Sequence, residues 1–202
     1  MNARPTLPII LLAAGQSTRM RGGDKLLEEV DGLPLIRRQA KIARAATSGP
    51  VIVALPPRPH ARYDALDGLE LTRLPVPGAD EGMNASLRAA FAALPADAPA
   101  AMLLLADLPE LTISDLNKVF QAADLSADTR VWRGATEDGK PGHPILFAAP
   151  LFGEFAKLKG DSGGRDVIAA AGDHVTLIPL PGQRARLDLD TPEDWAAWRA
   201  AR

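Results

Sequence analysis

The chain has 202 residues, of which 47% are hydrophobic and 24% are charged, and its net charge is −2. This composition is typical of a soluble globular protein, and the length suits one domain with an ample core. The absence of cysteine excludes disulfides, thiolate metal sites and cysteine nucleophiles, and three histidines are too few for a histidine-rich metal centre. The slightly acidic charge argues against nucleic-acid binding, which usually needs clustered basic residues.

The first apolar stretch, residues 7–14, faintly resembles the core of a secretory signal peptide. It is short for one, contains Pro8 and leads directly into a polar loop. No stretch approaches the about 18 consecutive apolar residues that a membrane span needs. We therefore expect a cytoplasmic protein that does not bind membranes.

The predicted elements alternate between strand and helix through the first part of the chain. Continuous apolar runs predict buried strands at residues 7–14, 51–55, 69–74 and 101–106. Helical spacing and terminal signals predict helices at residues 34–46, 62–66, 87–94 and 112–123. Such alternation indicates a doubly wound, mostly parallel sheet, whose ligands bind beyond the carboxyl ends of the strands.

The pattern is weaker after residue 124. Short strands are expected at residues 130–133, 143–147 and 175–178, and short helices at 151–158 and 165–171. Residues 187–190 are expected to be extended. A last helix is predicted to begin after Thr191, with Pro192 at its first position and with Trp195 and Trp198 on its buried face.

A glycine-punctuated loop follows the first strand and carries two cations, Arg19 and Lys25. A buried strand that leads into such a loop can present backbone N–H groups and positive charge to a phosphate. The loop has neither the Gly-Lys-Ser/Thr ending of a Walker A motif nor the spacing of a dinucleotide fingerprint. An ordinary glycine turn with solvated cations is an equally good interpretation of these residues alone.

Acidic residues are candidates for a metal site. Asp107 follows the strand at 101–106, where a carboxylate suits Mg²⁺, although a turn or helix-capping role fits equally well. Asp188 and Asp190 are separated by Leu189, and we expect their carboxylates to point to opposite faces of this segment. One of them is then expected to meet Asp107 while the other faces solvent, and the spacing does not say which.

Two further positions could contact a second substrate. His143, between Gly142 and Pro144, is either such a contact or a structural histidine whose ring is satisfied by the backbone. Asp161 and Arg165 frame a second glycine-rich loop, where they could bind an anion or cap the following helix.

Six motifs together resemble the MobA-like nucleotidyltransferases and follow that family's order, at residues 12–20 with 25–27, 82–88, 105–109, 142–147, 160–165 and 188–194. The sequence is most similar to the molybdenum cofactor cytidylyltransferase branch, in its Ala13-Ala14-Gly15 start and its Gly-His-Pro motif. The guanylyltransferase branch typically starts Ala-Gly-Gly. Arg21 departs from the family, because it stands where a glycine usually follows Arg-Met.

The resemblance implies a single domain over residues 1–202 with a Rossmann-like nucleotidyltransferase fold. Its nucleotide-binding half would extend to about residue 110 and its acceptor-binding half would follow. The implied reaction is attack by the phosphate of a molybdopterin-type acceptor on a nucleoside triphosphate, with CTP as the expected donor and pyrophosphate as the leaving group. A molybdoenzyme or its chaperone is a candidate partner.

The resemblance also implies the site residues. Arg19, Lys25 and Asp107 would be catalytic, and Asp107 and Asp190 would hold Mg²⁺. The implied nucleotide-binding residues are Leu12, Ala13, Ala14, Gly15, Ser17, Lys25, Pro56, Gly82 and Ser86. The implied acceptor-binding residues are His143, Asp161 and Arg165.

Three alternatives remain open. The acceptor could be a sugar phosphate or another phosphorylated metabolite, with a different base on the donor. The protein could be a non-catalytic carrier of a nucleotide or cofactor, although the retained Lys25, Asp107 and Asp190 argue against this. A dinucleotide-dependent oxidoreductase is the weakest alternative, because the glycine fingerprint is missing.

Overall fold

The computed structural model describes residues 4–160 and 163–202, and nine β-strands lie within them. Seven strands form the central sheet, and two short strands form a separate hairpin. The hairpin consists of β2 (Glu29–Val30) and β3 (Leu33–Pro34). The central strands are β1 (Ile9–Leu12), β4 (Val51–Leu55), β5 (Thr72–Pro75), β6 (Ala100–Leu105), β7 (Val131–Ala135), β8 (Pro141–Ala148) and β9 (Val175–Pro179).

The order of strands across the central sheet is β5-β4-β1-β6-β8-β7-β9. In the described part of the chain, β8 alone runs against its neighbours, because it pairs antiparallel with both β6 and β7. The remaining pairs are parallel. The predicted doubly wound, mostly parallel sheet is therefore confirmed.

The helices connect these strands across both faces of the sheet. They are α1 (Leu35–Ala46), α2 (Met83–Ala92), α3 (Ile113–Ala122), α4 (Phe152–Phe155), α5 (Arg165–Ala170) and α6 (Pro192–Ala200). Four 3-10 turns lie at Thr18–Met20, Asp64–Leu66, Ala79–Glu81 and Ala149–Leu151 in the described chain. No helix within these residues combines the length and apolarity needed to cross a lipid bilayer.

Alternate residues of β1 face two separate cores, as expected for a strand covered on both sides. Ile9 and Leu11 pack in the core covered by α1, α3 and α6, while Ile10 and Leu12 pack in the core covered by α2, α4 and α5. In the second core, the rings of Phe147 and Phe155 pack edge to face, with 5.1 Å between their centroids. The result is a three-layer arrangement with β1 near its centre.

Helix α2 begins four residues earlier than the sequence predicts. We expected a loop to continue to Ser86, because Asn and Ser usually compete with helical hydrogen bonding. Instead the loop ends at Gly82, whose φ of 112° suits glycine, and the helix begins at Met83. Asn84 and Ser86 are buried in its first turns, so tertiary packing overrides their local preference.

The final helix follows its sequence signals closely. The Thr191 side chain accepts a hydrogen bond from the backbone N–H of Asp194, and Pro192 occupies the first turn. As predicted, Trp195 and Trp198 are buried. The Trp198 indole donates a hydrogen bond to Glu110 at 3.1 Å, which fixes α6 next to the loop that follows β6.

Candidate active site

Lys25 lies between two aspartates that come from distant parts of the chain. Its ammonium group is 2.6 Å from an oxygen of Asp107 and 2.6 Å from an oxygen of Asp190. Asp107 stands just beyond the carboxyl end of β6, and Asp190 immediately precedes the cap of α6. Arg19 reaches the other oxygen of Asp190 at 2.7 Å. The predicted catalytic residues and metal ligands are thus in direct contact.

Mutual attraction sets the charge state of this group. Burial of the Lys25 side chain, which is only 14% exposed, opposes its charge, but the carboxylates of Asp107 and Asp190 outweigh burial and raise the pKa of Lys25. Burial would also raise the pKa of Asp190, yet Lys25 and Arg19 lower it overall. Near neutral pH Lys25 and Asp190 are therefore both charged.

Asp188 joins the same cluster, which the sequence did not predict. Asp107, Asp188 and Asp190 each offer one oxygen, and these three oxygens lie within 4.8 Å of one another. The prediction that Asp188 and Asp190 face opposite sides was wrong, because residues two apart in an extended segment point to the same face, and Leu189 between them is the buried one. Burial and the neighbouring carboxylates of Asp190 and Asp107 raise the pKa of Asp188.

The donor set suits a hard divalent cation, because such ions prefer carboxylate oxygens. The second carboxylate oxygen of Asp107 is buried and has no hydrogen-bond partner in the described chain. Buried carboxylate oxygens are normally satisfied, so this one is available as a ligand. The residues present therefore fit a divalent metal ion.

The loop after β1 lies against this cluster. At the start of this loop, the Ala13 N–H donates a hydrogen bond to the Ala54 carbonyl of β4 at 2.9 Å. The chain then turns sharply at Ser17 and Arg21, which have φ values of 52° and 50°, and at Gly22. The displaced glycines leave Arg21 itself in the left-handed conformation. Lys25 still reaches the site.

The cluster lies in the central one of three neighbouring cavities. The central cavity, of about 530 Å³, is lined by the carboxylates and by Arg19, Lys25, Leu12, Ala13, Ala14, Gly15, Gly82 and Ser86. A proline-lined cavity of about 360 Å³ shares Ala14 and Asp80 with it and is also lined by Pro56, Pro57 and His60. An arginine-lined cavity of about 280 Å³ shares Met83 and Leu105 with the central one. The two smaller cavities therefore adjoin the central one.

The arginine-lined cavity contains His143 and Arg165, two of the predicted acceptor contacts. The third, Asp161, lies outside the described residues. Burial, together with the positive charge of Arg133, lowers the pKa of His143 to about 4, so the ring is neutral near pH 7. The histidine therefore does not carry a positive charge for an anionic ligand.

Arg133 lines the same cavity and was missed by sequence reasoning. Its Nε atom donates a hydrogen bond to the carbonyl of Gly142 at 2.9 Å. Burial and the charges of Arg186 and Arg165 lower its pKa from the usual arginine value. An arginine inside the apolar run of β7 was the available signal, because charged side chains are rarely buried without a partner or a ligand.

Ser17 differs from the other predicted nucleotide-binding residues, because its side chain serves the protein. Its hydroxyl donates a hydrogen bond to Asp24 at 3.2 Å and accepts one from Arg62 at 3.1 Å. Ser17 is absent from the lining of the central cavity. Arg62, which binds Ser17, is a buried cation that no sequence pattern predicted.

Comparison with known proteins identifies the family. The model of the MobA-like NTP transferase domain matches residues 9–175. The chain belongs to this family. A probable molybdenum cofactor guanylyltransferase of Synechococcus elongatus is 32% identical over 191 residues, covering 93% of this chain and 95% of the relative. A molybdenum cofactor guanylyltransferase of Pseudomonas paraeruginosa is 30% identical over 199 residues, covering 95% and 94%.

A solved structure agrees in fold. The protein Rv0371c of Mycobacterium tuberculosis H37Rv, in a complex with manganese, is 27% identical with a TM-score of 0.76, covering 98% of this chain and 100% of that one. The predicted family resemblance and the Rossmann-like nucleotidyltransferase fold are confirmed. The two curated relatives are named guanylyltransferases, whereas the sequence motifs favoured the cytidylyltransferase branch.

Proposed function

We propose that this protein is a Mg²⁺-dependent nucleotidyltransferase of molybdenum cofactor biosynthesis. It moves a nucleoside monophosphate from a triphosphate onto the phosphate of a molybdopterin-type acceptor and releases pyrophosphate. The observation that carries this proposal is the position of Lys25 and three carboxylates in a cavity that adjoins two others. The names of the curated relatives support the acceptor.

The donor fits the proline-lined and central cavities. The backbone of residues 13–17 would hold the triphosphate in the central cavity, while Arg19 and Lys25 neutralise its charge. The base would lie against Pro56 in the proline-lined cavity, and Gly82 and Ser86 would line the ribose. The N-terminal half of a single domain would therefore bind the nucleotide.

The metal fits Asp107 and Asp190, with Asp188 within reach of both. The unpaired buried oxygen of Asp107 and the manganese complex of the mycobacterial relative support a divalent ion. When bound, Mg²⁺ would supply Lewis-acid stabilisation of the charge that develops on the phosphates. Lys25 and Arg19 add positive charge on the same side.

The acceptor fits the arginine-lined cavity of the C-terminal half. Arg133 and Arg165 would bind an anionic acceptor, and the neutral His143 would pack beside it. An oxygen of the acceptor phosphate forms a bond to the α-phosphorus, and the bond from that phosphorus to the β-phosphate oxygen breaks. The phosphate is already an anion, so the step requires no general base, and catalysis consists of positioning and charge neutralisation.

We favour CTP as the donor because the loop starts with Ala13-Ala14-Gly15, the form that resembles the cytidylyltransferase branch. GTP is the second candidate, and the names of the curated relatives favour it. Comparing CTP, GTP, ATP and UTP under identical conditions decides between them. A molybdoenzyme or its chaperone as the recipient of the product remains a prediction.

The test is a transfer assay with the purified protein, Mg²⁺, molybdopterin and each triphosphate, following pyrophosphate and the mass of the product. We expect one triphosphate to give stoichiometric pyrophosphate and nucleotidylated molybdopterin. The Asp107→Asn variant should lose this activity. Asp124→Asn is the matched control, because Asp124 is exposed and binds Ser126 at the far end of α3.

Two outcomes would reject the proposal. If no triphosphate yields pyrophosphate, the protein is not a transferase for this acceptor. If the protein binds nucleotide and molybdopterin tightly without turnover, and Asp107→Asn behaves like Asp124→Asn, the carrier function is supported instead. Pyrophosphate released with a sugar phosphate but not with molybdopterin would change the acceptor and leave the reaction class in place.

A further inference from the structure

Arg62 is a fully buried arginine whose guanidinium group contacts the loop that follows β1. Its side chain is 1% exposed, and it lines none of the three cavities. It therefore has no direct access to substrate. A buried guanidinium needs a reason, because desolvating its charge is costly unless geometry and partners are good.

All the partners of this guanidinium belong to the loop between β1 and Lys25. The Nε and Nη2 atoms donate to the two oxygens of Asp24, each at 2.7 Å. Nη1 donates to the Ala13 carbonyl at 2.6 Å, and Nη2 also donates to the Ser17 hydroxyl at 3.1 Å. One planar group thus joins the beginning, the middle and the end of the loop.

These contacts fix the two groups that would meet a triphosphate. Ala13 and Ser17 bound the stretch of backbone that lines the central cavity. Asp24 directly precedes Lys25, and its carboxylate also accepts the backbone N–H of Leu26 at 3.0 Å. The backbone of Lys25 is therefore fixed on both sides by the group that Arg62 binds.

Charge gives a second reason for this pair. Burial raises the pKa of Asp24, but the hydrogen bond and charge of Arg62 outweigh it, so the carboxylate stays ionised. An ionised carboxylate next to Lys25 would attract that lysine or repel a triphosphate if it were unpaired. The fork of Arg62 occupies both oxygens of Asp24 and leaves Lys25 to Asp107 and Asp190.

A stabilising role alone does not explain this choice of residue. Well-packed apolar side chains often stabilise an interior as much as a buried ion pair does. A lysine would supply the charge but not the planar set of donors that reaches three acceptors at once. The arrangement suits a function in which geometry matters more than stability.

We propose that Arg62 is a positioning residue for the nucleotide, which holds the loop and Lys25 in the binding geometry before the triphosphate arrives. The inference rests on the proposed function and names a determinant of its donor site. Binding then costs less ordering of the protein, since a preorganised site loses less conformational freedom. The metal and acceptor sites depend on other residues.

The experiment compares Arg62→Lys with Arg37→Lys. Arg37 is a matched control because it donates to the carbonyls of Ala65 and Asp67, each at 2.9 Å, and so fixes the same segment from α1 without touching the loop. Four quantities are measured for each purified variant: the Kd for CTP or GTP without acceptor, the KM for molybdopterin, the Kd for Mn²⁺ alone, and the melting temperature. Hydrogen–deuterium exchange of residues 11–20 reports loop order.

For Arg62→Lys we expect the nucleotide Kd to rise on the order of tenfold to hundredfold, because several charge-assisted hydrogen bonds are lost. The KM for molybdopterin should change less than about twofold, since its residues are untouched. Mn²⁺ should bind no more weakly than in the wild type, because a less well fixed Lys25 competes less for Asp107 and Asp190. Loop exchange should increase in the free protein and return towards the wild-type value with nucleotide. Arg37→Lys should leave all three binding quantities unchanged.

Equal losses for nucleotide, acceptor and metal that follow the melting temperature would overturn the inference and assign Arg62 a purely structural role. The same holds if Arg62→Lys matches Arg37→Lys. If Arg62→Lys does not fold, Ser17→Ala removes one contact and keeps the buried ion pair. It should weaken nucleotide binding alone, and no effect would contradict the inference. A wild type that binds no triphosphate would instead reject the proposed function.

Discussion

Replacing Lys25 with methionine should separate the metal site from the catalytic charge. In the ligand-free protein the Lys25 ammonium lies 2.6 Å from both Asp107 and Asp190, where it occupies oxygens that a divalent ion would use. Methionine keeps a similar length and removes the charge. The variant should therefore bind Mn²⁺ more tightly than the wild type in the absence of nucleotide, while losing transfer activity.

The magnitude follows from Coulomb's law. Two unit charges about 4 Å apart interact by about 4 kcal/mol at an effective dielectric constant of about 20. Solvent in the open cavity screens much of this, so we expect a net gain of about 1.4–2.8 kcal/mol, or tenfold to hundredfold in the Kd for Mn²⁺. Loss of the lysine should lower kcat by about 10²–10³, the usual effect of removing one group that stabilises developing charge.

Electron paramagnetic resonance of free Mn²⁺ measures the metal affinity directly, and pyrophosphate release measures turnover. Lys157→Met is the control, because Lys157 pairs with Glu154 on the surface at 2.6 Å and is distant in the fold from the carboxylates. The melting temperature of Lys25→Met should fall without metal and rise steeply when Mn²⁺ is added. A variant that binds Mn²⁺ no better than the wild type would show that these carboxylates are not the metal site.

Three further predictions concern the C-terminal half. His143 has a pKa of about 4 in the folded protein, so the unfolded chain binds more protons between about pH 6.5 and 4. The free energy of unfolding should therefore fall as the pH falls, by about 2 kcal/mol at pH 5. Urea unfolding at pH 7.5 and 5 should show this loss in the wild type and a smaller one in His143→Gln. Arg133→Met should raise the KM for molybdopterin at least tenfold while leaving the nucleotide KM unchanged, and equal effects on both would disprove its role in the acceptor cavity. Gly142→Ala places a Cβ against the Ala185 carbonyl, so it should destabilise the protein by about 1–3 kcal/mol. Because Ala185 belongs to the segment that leads to Asp188, the variant should also bind Mn²⁺ more weakly. An unchanged melting temperature would contradict this prediction.

The sequence predicted the elements whose signals are local. Strand β1 is an uninterrupted apolar run, and α6 has both a cap and an N-terminal proline. The direction of β8 could not be predicted, because a short apolar run after a turn-rich loop carries no information about which neighbour it joins. The start of α2 was misplaced for a related reason: burial of Asn84 and Ser86 depends on elements far away in sequence.

The residues of the candidate site also divide into those with a recognisable signal in the sequence and those without one. The order of motifs indicated Lys25, Asp107 and Asp190: Asp107 follows β6, Asp190 precedes α6, and Lys25 belongs to the loop after β1. Asp188 was misjudged because the alternation of an extended segment has a period of two, which places residues 188 and 190 on the same face. Arg62 was predicted only as the first residue of a short helix, and its partner Asp24 is 38 residues away, beyond any local pattern.

The anchoring of α6 has a consequence for how the protein is made. Lys25 contacts Asp190, which lies 165 residues later in the chain, just before α6. Two ion pairs join α6 and the residues after it to the early chain: Arg199 pairs with Glu28, and Arg202 pairs with Asp31. Contacts of such long range form late in folding, because they require closure of most of the chain. On a translating ribosome the loop after β1 is therefore exposed well before its carboxylates arrive. A nascent chain could meet nucleotide early, yet it would become competent for transfer only when its last helix has docked.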